Sequence, residues 1–213
     1  MAIKLIALDT DGTLLDSHGK ILNSTKNAVK KALNQGIKVV ICSGRPIAGL
    51  KHYMDELEII GPDQYVVTLN GAITRTANNK IMTKDLVDIN FYRPMLAFAV
   101  KHNVPFNIID EDSKIITADH TIDPIVYIQA YENMAPLYVR TPDEIEDTVQ
   151  IAKGCYVGDP DTLDHIEPLV HEKFGKDLYV VRSDDHFLEL LNSKVNKGNG
   201  LKELCEKLDI KPS

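Results

Sequence analysis

Two aspartates near the start of the chain, Asp9 and Asp11, are the residues whose types and spacing best suit chemistry. They directly follow the mostly apolar run Lys4–Leu8, and Gly12 comes next. A carboxylate at the end of a strand can attack phosphorus and form an aspartyl-phosphate. A second carboxyl nearby can protonate the leaving alcohol and later activate water. Carboxylate oxygens are also ligands that Mg²⁺ prefers. The pair therefore indicates phosphoryl transfer, although Asp-x-Asp alone also fits a turn or another kind of metal site.

A second polar segment, Ser43–Pro46, follows the apolar stretch Lys38–Cys42. A serine hydroxyl and free backbone N–H groups at a strand-to-helix junction can hold phosphate oxygens. Pro46 suits the first turn of the helix that would follow. An ordinary turn between a strand and a helix could have the same composition, so this segment by itself does not define a site.

Two lysines, Lys194 and Lys197, precede the last predicted helix. A lysine that enters the site could neutralise phosphate and keep Asp9 ionised and oriented. The alternative is a solvated helix start, which is the usual environment of a lysine. Gly198 would allow close approach at Lys197, and Lys194 has no such neighbour, so Lys197 is the candidate.

Three other patterns favour ordinary structure. The acidic segment Gly158–Asp164 leads into a predicted helix, which indicates a turn and a helix cap. The seven histidines show neither HxH nor HxxxH spacing, which argues against a zinc site. Ser43 lacks the GxSxG context of a serine hydrolase.

Composition narrows the class of protein further. The chain has 213 residues, is 44% hydrophobic and 26% charged, and carries a net charge of -7. It contains no dense Lys/Arg run, so we expect no nucleic-acid partner. No apolar stretch approaches the roughly 18 residues of a membrane span, and no signal peptide is recognisable, so we expect no membrane partner. The three widely spaced cysteines are expected to be reduced thiols in a cytoplasmic protein.

The first part of the chain alternates strands and helices. Apolar runs predict strands over 3–8, 38–42 and 65–69, with helices over about 25–35 and 47–58 between them. This β-α-β-α-β order predicts an α/β fold with a Rossmann-like parallel sheet. Ligands bind at the carboxyl ends of the strands in such sheets, which is where Asp9, Asp11 and Ser43 lie in the sequence.

The alternation changes near residue 84, and we predict an inserted α+β cap domain over 84–186. The catalytic core would then comprise 1–83 and 187–213. Within the insertion, 91–102 and 162–174 are predicted to be helical and 142–152 has helix-like spacing. The segment 179–182 at its end is predicted to form a strand pair with 187–191, which follows the insertion. A further helix is predicted over 198–207, and an α/β domain would be expected to place a strand after it.

These motifs together resemble the haloacid dehalogenase superfamily of phosphotransferases, in its Cof-type branch of sugar phosphatases. Ile3–Leu14 is similar to the first family motif, Ile41–Pro46 to the second and Lys194–Gly198 to the third. Asn70-Gly71-Ala72 also fits this branch. The resemblance spans essentially the whole chain.

The resemblance implies a role for each matched residue. Asp9 would be the nucleophile and a Mg²⁺ ligand, and Asp11 the general acid/base, with its backbone carbonyl on the metal. The remaining matched positions would bind phosphate (the Thr10 backbone, Ser43, Gly44 and Lys197) or substrate (Arg45 and Asn70), and Lys197 would also hold Asp9. The α+β insertion would close over the site, exclude bulk water and select the substrate.

One family feature has no counterpart in this sequence. The resemblance implies a fourth motif, an acidic Gly-Asp-x-x-x-Asp loop after the lysine helix, which supplies further Mg²⁺ ligation. The chain stops at Ser213 before this loop would begin. We therefore expect a C-terminally truncated form that binds Mg²⁺ weakly and is weakly active or inactive, with an exposed apolar edge beside the Asp9 strand.

The function expected from these observations is Mg²⁺-dependent hydrolysis of small phosphate monoesters, with sugar phosphates as the first choice. The alternatives are a sugar phosphomutase, an Asp-x-Asp glycosyltransferase and a non-catalytic sugar-phosphate binding protein. The expected partner is a small phosphorylated metabolite, and the protein would be a monomer or a homodimer.

Overall fold

The computed structural model describes residues 3–211, which form eleven strands and six α-helices. The strands are β1 Leu5–Leu8, β2 Lys38–Cys42, β3 Tyr65–Thr68, β4 Ile73–Thr76, β5 Ile81–Lys84, β6 Phe106–Asp110, β7 Ile115–Thr117, β8 Leu137–Val139, β9 Ile151–Val157, β10 Leu178–Asp184 and β11 Phe187–Asn192. The helices are α1 Asn23–Asn34, α2 Lys51–Glu56, α3 Tyr92–His102, α4 Pro124–Glu132, α5 Pro160–Phe174 and α6 Lys197–Lys207. Two compact units result, the first running up to Lys84 and resuming at Asn196, and the second spanning Asp85–Val195.

The first unit is built on a five-stranded sheet in the order β1-β2-β3-β4-β5. The pairs β1·β2 and β2·β3 are parallel, whereas β3·β4 and β4·β5 are antiparallel. Val40 and Val66 in the central strands are fully buried, as expected for strands that are covered on both faces. The predicted α/β class is confirmed.

Strand β1 forms one border of this sheet within residues 3–211, because β2 is its one neighbour there. Its side chains are correspondingly less buried than those of β2. Leu5, Ile6 and Leu8 are half-buried and Ala7 is exposed, although the apolar run is typical of a strand with neighbours on both sides.

The second unit contains a six-stranded sheet in the order β10-β11-β9-β6-β7-β8, antiparallel except for the pair β7·β8. Helices α3 and α5 cover one face, where Met95, Phe106, Tyr156 and Leu163 are buried in one apolar cluster. The expected helix over 142–152 is wrong. A single turn, Pro142–Glu144, precedes strand β9 there.

Residues 187–195 lie in the second unit, whereas the sequence-based boundary assigned them to the core. The reason is strand pairing. Strand β11 pairs with β10 through a tight turn, in which Asp184 lies opposite Phe187, and it pairs with β9 on its other side. A hairpin that is hydrogen-bonded to a third strand stays in one sheet, so the unit ends after β11.

No helix in residues 3–211 combines the length and apolar character that crossing a membrane requires.

Candidate active site

The turn that follows β1 orients Asp9. Asp9 Oδ1 accepts a hydrogen bond from the Thr10 N–H at 2.8 Å, and the Asp9 carbonyl accepts one from the Leu14 N–H at 3.1 Å. Gly12 has a φ of +70°, a backbone conformation that L side chains adopt at a cost. The Asp-x-Asp-Gly sequence therefore closes a tight turn that fixes one oxygen of the Asp9 carboxylate.

Lys197 fixes the other oxygen. Its ammonium Nζ lies 2.7 Å from Asp9 Oδ2, although the two residues are 188 positions apart in the sequence. Lys197 is the first residue of α6, which Asn196 caps by accepting the Asn199 N–H at 2.8 Å. The helix start therefore delivers this lysine to the end of β1. Lys194 lies in the second unit, where its N–H donates to Asn192 Oδ1 at 3.0 Å.

Thr10 and Ser43 connect the segments that follow β1 and β2. Both side chains are fully buried, and their hydroxyl oxygens are 2.7 Å apart. The Thr10 hydroxyl donates to Asp11 Oδ2 at 3.1 Å, so the Ser43 hydroxyl is the donor toward Thr10. The Ser43 Oγ also accepts the Arg45 N–H at 3.2 Å. The two predicted phosphate-binding segments are thus joined by a buried hydrogen-bond chain.

Arg45 forms an ion pair with Asp11. Its Nη2 donates to Asp11 Oδ1 at 2.9 Å and its Nε donates to Asp11 Oδ2 at 3.1 Å. A guanidinium group suits this two-point contact with a carboxylate. These hydrogen bonds from Arg45 hold the pKa of Asp11 below its usual value. Asp11 is therefore ionised and engaged on both oxygens in this structure.

The end of β3 supplies the third side of the site. The Asn70 N–H donates to the Ser43 carbonyl at 3.0 Å, and Asn70 Oδ1 lies 2.9 Å from the point that a Cβ on Gly44 would occupy. A larger residue at position 44 would have to displace the Asn70 side chain. Asn70 is thus placed beside the predicted phosphate-binding turn.

Two nearby features have ordinary explanations. Burial raises the pKa of the Cys42 thiol to about 11, so Cys42 is protonated and unsuited to act as a nucleophile. Asp159 caps α5 by accepting the Thr162 N–H at 2.9 Å, which confirms the predicted helix cap in the acidic segment. Within residues 3–211, no cluster of three or more His, Cys, Asp or Glu side chains is arranged to hold a metal ion.

Comparison with known proteins identifies the family. The profile of the haloacid dehalogenase-like hydrolases matches residues 6–213. The chain belongs to this hydrolase family. It is 30% identical over 208 residues to YxeH of Bacillus subtilis (strain 168), which is provisionally named a phosphatase, covering 97% of this chain and 77% of YxeH. A Streptococcus pyogenes protein with a similar provisional name is 32% identical over 211 residues, covering 99% of this chain and 78% of that protein.

The fold comparison agrees with the family assignment. A haloacid dehalogenase-like hydrolase from Bacteroides thetaiotaomicron superposes with a TM-score of 0.88 at 25% sequence identity, covering 99% of this chain and 79% of that one. The expected membership of the haloacid dehalogenase superfamily is therefore confirmed.

Sequence reasoning finds most residues of this hydrolase's candidate site but misses two of their contacts. Arg45 is expected to bind substrate, and in this structure it also forms an ion pair with Asp11. Thr10 is expected to act through its backbone, but its hydroxyl also bridges Asp11 and Ser43. In the sequence, the position of Thr10 between two aspartates is the one feature that could have indicated this contact of its hydroxyl. No sequence signal distinguishes an arginine that binds phosphate from one that binds a neighbouring carboxylate.

Proposed function

We propose that this protein is a Mg²⁺-dependent phosphatase that hydrolyses small phosphate monoesters, sugar phosphates in particular, through an aspartyl-phosphate on Asp9. The observation that carries the proposal is the environment of Asp9. Its carboxylate lies at the carboxyl end of β1, with one oxygen held by the Thr10 N–H and the other by the Lys197 ammonium. Such contacts fix the orientation of a nucleophile and place positive charge where a phosphate would bind.

The proposed reaction has two steps. Asp9 attacks the phosphorus atom, the ester P–O bond breaks, and Asp11 in its protonated form gives its proton to the leaving alcohol. Asp11 then accepts a proton from water as the water oxygen attacks the phosphorus of the aspartyl-phosphate, which releases inorganic phosphate and regenerates Asp9. Thr10, Ser43, Gly44 and Lys197 would bind the phosphate oxygens.

The donor groups fit Mg²⁺ in their chemistry. Asp9 supplies a carboxylate oxygen and Asp11 its backbone carbonyl oxygen, both of the kind that this ion prefers. Asp9 and Asp11 are the residues that would hold it. When bound, Mg²⁺ would reduce the repulsion between the Asp9 carboxylate and the anionic substrate.

We also propose that the 213-residue chain turns over slowly. Arg45 supports this proposal, because its guanidinium donates to both oxygens of the Asp11 carboxylate. Asp11 has to leave this ion pair before it can serve a leaving alcohol. Arg45 and Asn70, beside the same turn, would contact the substrate once Arg45 is released.

The proposed ligand is a small phosphorylated metabolite, and we place the protein in the cytoplasm as a monomer or a homodimer. The cysteines support a reducing compartment, since Cys42, Cys155 and Cys205 are all free thiols and all buried.

The test measures inorganic phosphate released from p-nitrophenyl phosphate and a panel of sugar phosphates, with and without Mg²⁺. We expect slow, Mg²⁺-dependent release, and a mass increase of one phosphoryl group on the peptide that contains Asp9 when the reaction is quenched in acid. Return of the phosphoryl group to sugar would indicate a mutase instead. Saturable binding of sugar phosphates without phosphate release or a phosphorylated Asp9 would contradict the proposal.

A further inference from the structure

The turn Leu69–Gly71 is tied to the segment that follows β2. The Leu69 N–H donates to the Arg45 carbonyl at 3.1 Å, and the Asn70 N–H donates to the Ser43 carbonyl at 3.0 Å. The Asn70 side chain also lies against Gly44. Residues 43–45 and the turn are therefore joined by two backbone hydrogen bonds.

The other side of this turn contacts the start of α6. A Cβ built on Gly71 would lie 2.3 Å from the Asn196 carbonyl oxygen and 3.3 Å from the Lys197 nitrogen. A Cβ built on Gly200, one turn along the helix, would lie 3.0 Å from the Gly71 Cα. The helix that delivers Lys197 is thus in direct backbone contact with the turn. A methyl group at Gly71 would overlap the Asn196 carbonyl, whereas one at Gly200 would need its neighbours to shift by a few tenths of an ångström.

The backbone of the turn is unusual. Leu69, Asn70 and Gly71 have consecutive positive φ angles of 52°, 60° and 102°. A left-handed conformation is costly for leucine and persists where surrounding contacts impose it. Leu69 is nearly fully buried, so packing holds it in this conformation. The turn is therefore a rigid support and not an adaptable loop.

We propose that the turn Leu69–Gly71 is the positioning element that sets the Lys197 ammonium on Asp9, through the close contact of Gly71 with the start of α6. The turn lies between residues 43–45 and α6, so it determines the spacing of two segments that are predicted to bind phosphate. Its consequence for turnover rests on the proposed function, whereas its effect on the Lys197–Asp9 contact does not.

A matched pair of glycines tests the proposal. Gly71 and Gly61 have similar φ angles, +102° and +95°, but a Cβ on Gly61 would meet nothing within 4 Å. Gly71→Ala and Gly61→Ala should therefore have a similar backbone cost, and only Gly71→Ala should displace α6. In crystal structures we expect the Lys197 Nζ to leave hydrogen-bond distance of Asp9 in Gly71→Ala and to stay there in Gly61→Ala. An unchanged contact in Gly71→Ala would overturn the proposal.

Binding of inorganic phosphate, measured by calorimetry, adds a readout that general destabilisation would not reproduce. Lys197→Met should weaken phosphate binding about tenfold by itself and in the Gly61→Ala background, because a charged hydrogen bond is lost. In the Gly71→Ala background the same substitution should change affinity less than about twofold, since the lysine is already displaced. A full tenfold effect there would contradict the proposal. Phosphate binding needs no turnover, so inactivity toward all phosphate esters would refute the proposed function and leave this test intact.

Gly200→Ala provides a second variant if Gly71→Ala does not fold. Alanine favours the helix, and its Cβ would meet the Gly71 Cα and the Val67 Cγ1, each at 3.0 Å. We expect a folded protein in which Lys197→Met weakens phosphate binding about threefold instead of tenfold. Lys202→Ala, at an exposed position of the same helix, is the control and should leave the tenfold effect unchanged. If Lys197→Met weakened phosphate binding equally in the Gly200→Ala and Lys202→Ala backgrounds, the proposal would be overturned.

Discussion

One lysine–carboxylate ion pair at the candidate site of the first unit and one inside the sheet of the second unit differ in their exposure. The side chains of Lys197 and Asp9 in the first unit are 40% and 42% exposed. Those of Lys153 and Glu189 in the second unit are each 5% exposed. The first pair is close to water and contributes little to stability. The second pair is shielded from water, so each charge is stabilised by the other in place of hydration.

The difference in exposure indicates that the first pair can take part in chemistry, whereas the second pair stabilises the fold. Lys197 can exchange part of its contact with Asp9 for a phosphate oxygen, because water and ligands reach both groups. Lys153 cannot leave Glu189 without removing the cation from a buried carboxylate between strands β9 and β11. The pair joins neighbouring strands, and Glu189 lies directly opposite Cys155 in the ladder. A one-residue slip of β11 would turn Glu189 to the opposite face, so the buried pair also specifies the register.

The largest effect expected from breaking either pair is on activity. Asp9→Asn removes the proposed nucleophile and should lower kcat by about 1,000-fold or more, which corresponds to about 4 kcal/mol in the activation barrier. The free energy of unfolding should change by less than about 1 kcal/mol because the pair is half-exposed. Phosphate release and urea titrations measure the two quantities. Retention of a tenth of the activity would show that Asp9 is not the nucleophile.

The next largest effect is on stability. Lys153→Met removes the cation that lies against the buried Glu189 carboxylate, and the free energy of unfolding should fall by about 3–5 kcal/mol. Urea titration at pH 7 measures this change. Turnover of p-nitrophenyl phosphate per folded molecule should stay within about threefold of the parent, because neither residue belongs to the candidate site.

The double variant Lys153→Met with Glu189→Leu is the matched control for that prediction. It removes both charges and replaces them with apolar groups of similar size, so most of the lost stability should return. A double variant as unstable as Lys153→Met would show that lost packing, and not the loss of the cation beside the buried carboxylate, causes the destabilisation.

Lys197→Met should give the reverse of the Lys153→Met result. We expect kcat/KM to fall about 10- to 100-fold, since a charge-assisted contact to the nucleophile and to phosphate is lost. The free energy of unfolding should change by less than about 1 kcal/mol. Steady-state kinetics and urea titration check the two parts. A loss of several kcal/mol of stability with unchanged kinetics would remove the distinction between the pairs.

The same contrast explains how much of the fold could be predicted. Strands β2 and β3 are continuous apolar runs followed by glycine-containing turns, and such patterns are local. Helix α4 escapes prediction because its apolar residues surround the whole helix. Val126 and Ala130 are buried, whereas Tyr127 and Tyr131 are exposed, so no stripe of helical period exists. At 142–152, the capping box formed by Thr141 and Glu144 starts one turn that does not continue.

The candidate site shows a similar limit. The positions of Asp9, Ser43 and Lys197 could be predicted because strand ends and helix starts converge in an α/β sheet. The Arg45–Asp11 ion pair could not, because a long side chain reaches several acceptors and its choice depends on three-dimensional distances. The Lys153–Glu189 pair is equally invisible in the sequence, since the register of β9 and β11 alone brings these residues together.

The smallest predicted effect compares two buried thiols, Cys42 in the first unit and Cys155 in the second. Burial raises the pKa of Cys42 to about 11 and that of Cys155 to about 12. An unfolded thiol has a pKa near 8.5, so above that pH the unfolded chain releases protons that the folded chain retains. The free energy of unfolding should therefore fall as pH rises from about 8.5, by up to about 1.4 kcal/mol per pH unit for each thiol.

Urea titrations between pH 8.5 and 10 on the parent, Cys42→Ala and Cys155→Ala measure these slopes. Comparison of slopes, and not of absolute stabilities, removes the cost of the small cavity that each alanine leaves and the titration of other groups common to all three proteins. Each substitution should make the slope shallower by a similar amount over this range, because both folded thiols stay protonated throughout it. A parent-like slope in Cys42→Ala, with a shallower slope in Cys155→Ala, would show that the Cys42 thiol ionises in the folded protein. The effect of the Lys197 charge on the pKa of Cys42 would then be larger than the effect of burial.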